Sequence, residues 1–222
     1  MLVGEMHGTT EPAIFADLVC SARQTKRPIL VGVELRDQRA LDTFMDSGSY
    51  DAGIKVLFSA EEWKHHDGRT STAMLTLVSQ LRGLKRDGVV SGVIAFSVAR
   101  AGESAAKGEV RMASALLSAA EHSPDTLVIA LTGNVHACKK ILAEVGPYRL
   151  MASFLPPART VSLVVRDRGG QAWNCQDSAC GPHTLESSGG VSRGITLVSP
   201  HPGYDGVLST GLPATASMPA NR

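Results

Sequence analysis

The sequence predicts an α/β fold: a mainly parallel central sheet flanked by helices, with an antiparallel hairpin added near the C-terminus. Three observations carry this. Strand-like and helix-like segments alternate at least four times, the pattern of a parallel sheet with crossover helices. Ile29 to Val33 and Leu127 to Leu131 are unbroken apolar runs, which suit strands buried on both faces. The segments between them repeat apolar residues at helical spacing.

Val3 to Glu5 reads as the end of a first strand. Glu11-Pro12 opens a helix, since proline is tolerated in the first turn, and Ile14, Phe15, Leu18, Val19 and Ala22 form its inner stripe. Pro28 ends that pattern, and the run 29–33 leads into Glu34. A short helix follows from about Arg36 to Asp46. Ser59-Ala60-Glu61-Glu62 resembles a capped turn, and His65 to Arg69 is a polar loop. Thr70 or Ser71 caps a helix carrying Met74, Leu77, Val78, Leu81 and Leu84, which ends at Gly88. Val89 to Phe96 is a strand, Ser104 to His122 a helix, and Leu127 to Leu131 a strand. A further helix is expected from about His136 to Glu144. Thr160 to Val165 is expected to pair with Gln171 to Trp173 through a Gly169-Gly170 turn. Residues 1–180 are expected to form one domain. Residues 181–222 are rich in Gly, Pro, Ser and Thr and are expected to be a loosely ordered tail, with one edge strand between Val191 and Val198.

Composition bounds the function. The 222 residues include 22 basic and 21 acidic side chains, so the formal net charge is +1. That gives no electrostatic case for nucleic acid or an anionic membrane. Aromatics at 5% disfavour stacking platforms. No apolar run reaches the roughly 18 residues of a membrane span, and no secretory signal opens the chain. The first motif begins after only three residues, where a strand usually has about five or six. A longer natural N-terminus is therefore expected. It would place the protein in the periplasm or outside the cell if it carries a signal, and in the cytoplasm otherwise. Cys20 and Cys138 fall in helical patterns and read as small buried hydrophobes. Cys175 and Cys180 either close a small disulfide loop, implying an oxidising compartment, or remain free.

In open parallel sheets, ligands bind beyond the carboxyl ends of the strands. Those ends carry Glu5 and His7 after the first strand, Glu34 after the second, and Asn134 and His136 after the fourth. Both histidines close a Gly-x-x-His unit, Gly4 to His7 and Gly133 to His136. Histidine exchanges a proton near neutral pH, and a carboxylate beside it orients the ring or joins it on a metal. The set suits a hydrolytic centre, either with Glu5, His7 and His136 on a divalent ion or with water activated by general base catalysis. Asp67, Arg69 and Asn134 are the expected substrate-binding residues, with Asp67 and Arg69, just before a helix, a second candidate site for an anionic group. Their bland reading is an Asp-Gly turn with a capping Thr or Ser. No Gly-x-Ser-x-Gly elbow, phosphate loop or dinucleotide fingerprint is present.

Gly4-Glu5-Met6-His7-Gly8-Thr9, followed by Glu11 and Pro12, resembles the opening motif of the superfamily that joins erythromycin esterases, ChaN-like haem-binding lipoproteins, and the Tiki and TraB proteins. Leu131-Thr132-Gly133-Asn134-Val135-His136-Ala137 is similar to its second Gly-x-x-His element. The resemblance implies an α/β fold with its site at the strand ends, His7 as base or metal ligand, Glu5 and His136 completing the centre, and Glu34 supporting it. It implies an ester or amide hydrolase acting on a small molecule or peptide. The alternative is a non-catalytic haem- or metal-binding protein, with a histidine or tyrosine as axial ligand. Oligomeric state is left open.

Overall fold

The unbroken apolar runs become the inner strands of one sheet. The computed structural model describes residues 1–97, 102–176, 179–187, 192–197 and 202–221. Its strands are β1 (Leu2–Glu5), β2 (Ile29–Val33), β3 (Gly92–Ala95), β4 (Leu127–Gly133), β5 (Ser162–Val165), β6 (Gly170–Gln176), β7 (Ala179–Leu185), β8 (Gly194–Thr196) and β9 (Gly206–Ser209). Seven of them form the sheet in the order β3-β2-β4-β1-β5-β9-β8. All neighbours are parallel except β8, which runs antiparallel to β9 at the edge. β6 and β7 form a separate antiparallel hairpin.

Among the described residues six α-helices occupy the connections: α1 (Pro12–Ala22), α2 (Gln38–Asp46), α3 (Tyr50–Ser59), α4 (Thr72–Arg86), α5 (Ala105–His122) and α6 (Asn134–Ala137). Alternation along the strands divides the core between two faces. Val3, Val31, Ile129, Leu131 and Leu163 pack with Phe15, Leu41, Phe44, Leu77 and Leu81 from α1, α2 and α4. On the opposite face Leu2 and Ala130 pack with Met112, Ala113 and Leu116 of α5 and with Ala137 of α6. Removing one of the fully buried side chains, as in Leu131→Ala, should cost roughly 2–5 kcal/mol. Ser71 caps α4 by accepting from the Met74 N–H. No helix among the described residues is long and apolar enough to cross a membrane.

Several expectations are corrected. Ser162–Val165 is not one arm of a hairpin. All four of its residues are buried between β1 and β9, which suits a run with no polar alternation. The hairpin lies later, at Gly170–Leu185, and Cys175 and Cys180 face each other across it in a disulfide. The helix expected from His136 to Glu144 ends at Ala137. There the chain is drawn aside: the Lys139 N–H donates to the Gly203 carbonyl, and its ammonium pairs with Asp205. Looseness fails for much of the segment after residue 181. β9 is fully buried, and residues 214–220 run along the loops at Thr9–Thr10 and Thr70–Ala73, bonded to both. The edge strand expected between Val191 and Val198 is β8; residues 191 and 198 themselves lie outside the described residues. Cys138 is buried as expected, but Cys20 is exposed on the outer side of α1.

Candidate functional site

The site is built at the carboxyl ends of three neighbouring strands, β2, β4 and β1. Parallel pairing fixes their relative height: Glu5 is opposite Gly133, and Val33 is opposite Leu131. Glu34, one residue beyond β2, therefore lies beside the exit of β4. The strand exits of the two Gly-x-x-His units also interlock. A Cβ at Gly4 would come within 2.7 Å of the Ala137 Cβ and 2.9 Å of the Asn134 Cα, so only glycine lets β1 lie against α6. A Cβ at Gly133 would come within 2.8 Å of His7 Nε2. Each unit's glycine makes room for the other unit.

The side chains form one chain of alternating charge. His7 Nδ1 is 3.0 Å from Glu5 Oε1, and its Nε2 is 3.5 Å from Glu34 Oε1. His136 Nε2 reaches the same Glu34 oxygen at 3.6 Å, while its Nδ1 is 2.8 Å from Glu109 Oε1 on α5. The other Glu34 oxygen accepts from the Thr132 hydroxyl and the Gly133 N–H, both at 2.6 Å. Glu109 is fixed in turn by the Met151 N–H at 2.6 Å. Arg69 Nε lies 3.8 Å from Glu34 Oε1, and Asp67 holds the guanidinium and the Arg69 N–H from behind.

The carboxylates are almost fully buried, while each imidazole keeps about a fifth of its surface exposed (21% for His7, 22% for His136). Burial opposes the Glu34 charge, but the facing His7 and His136 rings and the Thr132 hydroxyl overcome it and hold the carboxyl far below its ordinary range. Burial also disfavours a charged His7 ring, yet Glu34 and Glu5 together push its pKa up to about 10. His136 is raised for the same reasons, against burial, by Glu109 and Glu34. Glu5 is pushed up by burial, partly offset by His7. At neutral pH His7 therefore rests as an imidazolium beside the ionised Glu34 carboxylate. Two of the centre's buried polar atoms have no hydrogen-bond partner: Glu5 Oε2, an acceptor, and Arg69 Nε, a donor.

All four residues expected at the centre meet there, and Arg69 joins them. Asp67 does not reach the centre but positions Arg69, and the capped turn expected as its bland role is present as well. Asn134 contributes a backbone contact, its carbonyl accepting from the Tyr204 hydroxyl at 2.8 Å. The adjacent pair His65-His66 stays outside the cluster; the carbonyls of both residues accept hydrogen bonds. Of the three residues expected as metal ligands, Glu5 lies on the Nδ1 side of His7, while His136 meets Glu34 on the Nε2 side. Every ring nitrogen of the two histidines faces a carboxylate oxygen, and among the described residues no group of three or more His, Cys, Asp or Glu side chains is arranged to hold an ion.

Two contributors were missed. Glu109 occupies the inner stripe of α5 with Met112, Ala113 and Leu116, and a carboxylate on an apolar helix face was the signal that could have found it. Glu11 was singled out only as part of a motif. It accepts the Met6 N–H at 2.8 Å and so fixes the turn that presents His7; burial drives its own pKa well above the usual value.

No family model and no curated protein matches the sequence. Solved structures do match. A mutant of erythromycin esterase EreC in its open conformation superposes with a TM-score of 0.64 at 10% identity, over 99% of this chain and 87% of that one. The chain has an erythromycin esterase-like fold. A Bacillus cereus protein gives a TM-score of 0.62 at 14% identity, over 85% of this chain and 71% of that one. The type III effector HopBA1 gives 0.52 at 15% identity, over 94% and 85%. At these identities the erythromycin esterase-like fold is what is shared, and the chemistry has to be argued from the site.

Proposed function

We propose that the protein hydrolyses an ester or amide bond of a small molecule or peptide at the Glu5–His7–Glu34–His136–Glu109 centre. The observation that supports this is the pair of histidines, each backed by its own buried carboxylate and both aimed at one shared oxygen. A carboxylate behind an imidazole fixes its orientation and stabilises the imidazolium formed when it takes a proton, the logic of a general base.

In this reading neutral His7 takes a proton from water on Nε2, with Glu5 holding the opposite nitrogen. The hydroxide oxygen adds to the substrate carbonyl carbon, and the carbonyl electron pair moves to oxygen. His136 and the Arg69 Nε–H, which face the same Glu34 oxygen as His7, donate to that oxyanion. Collapse re-forms the carbonyl and expels the alcohol or amine, which takes its proton from His7. No contact in the site favours the haem alternative: the Tyr50 hydroxyl pairs with Ser79, and the Tyr204 hydroxyl donates to Asn134.

The resting charge of His7 sets the pH dependence. A base that holds its proton up to about pH 10 is competent only in its neutral fraction, so kcat/KM should rise with pH toward that value. The test is turnover of p-nitrophenyl acyl esters and p-nitroanilides by the full chain, His7→Ala and His136→Ala. His7→Ala should lose about a hundred- to ten-thousandfold, and His136→Ala should lose less while remaining folded. Absence of turnover by the wild type across the panel, or turnover unchanged in both variants, would overturn the reading.

A further inference from the structure

The hairpin β6–β7 is the largest described element that neither the sheet nor the proposed chemistry accounts for. One of its residues sits at the junction of two loops that the site depends on. The Trp173 N–H donates to the Gly8 carbonyl at 2.7 Å, next to His7. Its indole Nε1–H donates to the His66 carbonyl at 3.1 Å, in the loop that ends at Arg69. Between these bonds the Trp173 carbonyl presses on both loops. A Cβ at Gly8 would come within 1.9 Å of that oxygen and one at Gly68 within 2.4 Å, and both glycines have positive φ. The C-terminal strip at 214–220 ties into the same turn: the Ser217 N–H donates to the same Gly8 carbonyl at 2.7 Å, and further bonds lie at Thr9–Thr10 and at Thr70–Ala73.

Arg69 has few other constraints. Its side chain is 40% exposed although its Nε is buried, its contact with Asp67 is a long 3.4 Å, and that Nε faces Glu34 at 3.8 Å with no hydrogen bond. Asp67 and Gly68 share its loop, so they move with it. The hairpin joins the His66 end of that loop to the His7 turn through one residue, while the C-terminal strip joins the turn to the Thr70–Ala73 end.

We infer that Trp173 is a positioning residue: by clamping Gly8 to the His66–Gly68 loop, it holds the Arg69 guanidinium against Glu34. The disulfide between Cys175 and Cys180 closes the strand pair beyond it and keeps the clamp in register. The kinetic consequence rests on the hydrolase reading; the placement of Arg69 does not.

The experiment has two arms on the full chain. In the first, the Arg69 Nε–H signal is followed by ¹⁵N NMR, assigned by its loss in Arg69→Ala. Wild type should give a resolved, slowly exchanging signal. Trp173→Phe, which lacks the indole donor, should merge it with the exposed arginines. Gly68→Ala, which forces the loop away from both the Trp173 carbonyl and the Gly8 backbone without touching the indole, should do the same. In the second arm, hydrolysis of p-nitrophenyl butyrate is measured in a double-mutant cycle. Trp173→Phe should lower kcat about fivefold, the size of one hydrogen bond, with KM little changed. It should cost nothing further in the Arg69→Ala background. An Arg69 signal unmoved in both variants, or a Trp173→Phe loss that persists in full without Arg69, would overturn the inference. Arg69 released in both variants, with no esterase turnover in any protein, would uphold the clamp and count against the hydrolase reading instead.

Discussion

The two Gly-x-x-His units have the same spacing and reach the same carboxylate, but they are supported in different ways. In Gly4–His7 the partner carboxylate is Glu5, two residues back at the end of the same strand. The turn that follows is fixed by Glu11, five residues beyond Met6. In Gly133–His136 the partner is Glu109, 27 residues earlier on α5, and it is held by Met151 from yet another segment. α6 itself lasts a single turn and is braced by Tyr204 and Lys139 through residues 203–205. The first unit carries its geometry locally. The second is assembled from parts of the fold that are distant in sequence. Perturbing packing should therefore disturb His136 well before His7.

Substitutions can separate the halves, and the largest effect is expected at their shared boundary. Gly133→Ala should reduce turnover almost as far as His7→Ala, because its Cβ would displace the His7 ring, a flexible side chain, with little loss in Tm. Gly4→Ala meets Ala137 and backbone instead. It should destabilise by about 1–3 kcal/mol, as overpacking does, and shift His136 rather than His7. Thermal melts and histidine NMR spectra of the two variants distinguish these outcomes. Reversed effects would show that the units do not interlock as described.

Next in size is the pair Glu5→Gln and Glu109→Gln. Each removes one carboxylate behind one ring, and each should lower kcat about ten- to a hundredfold. Only Glu109→Gln should also loosen the Met151 turn, read as faster amide exchange there. The smallest effect is expected for Tyr204→Phe, which removes one hydrogen bond to the Asn134 carbonyl. A loss of about two- to fivefold in kcat, with the His7 resonances unmoved, would place its influence in the second unit alone. Movement of His7 in this variant would contradict the separation.

The same contrast explains what could be read from the sequence. β2 and β4 were visible because unbroken apolar runs reflect burial on two faces, and Glu5, His7, Glu34 and His136 were visible because they follow such runs directly. Glu109 was not, since its partner is chosen by how α5 packs on the sheet and no local spacing encodes that. α6 was expected to be longer because its residues favour a helix; contacts from Gly203 and Asp205 override the local preference. β9 was hidden in a stretch whose Gly, Pro and Ser content resembles a tail, although Gly206–Ser209 is buried against β5. Trp173 gave no sign of its contacts, which join its backbone to Gly8 and its indole to His66, both far away in sequence.

The central claim is that one ionised carboxylate, Glu34, couples the two histidines. It is tested most directly by titrating both imidazoles by NMR in the wild type and in Glu34→Gln. Both rings should titrate above the ordinary histidine value in the wild type, His7 near 10. Removing the Glu34 charge should lower both, His7 the more, since Glu34 is the strongest of its charge partners while Glu109 still supports His136. Ordinary titration of both rings in the wild type, or values unchanged in Glu34→Gln, would contradict the account.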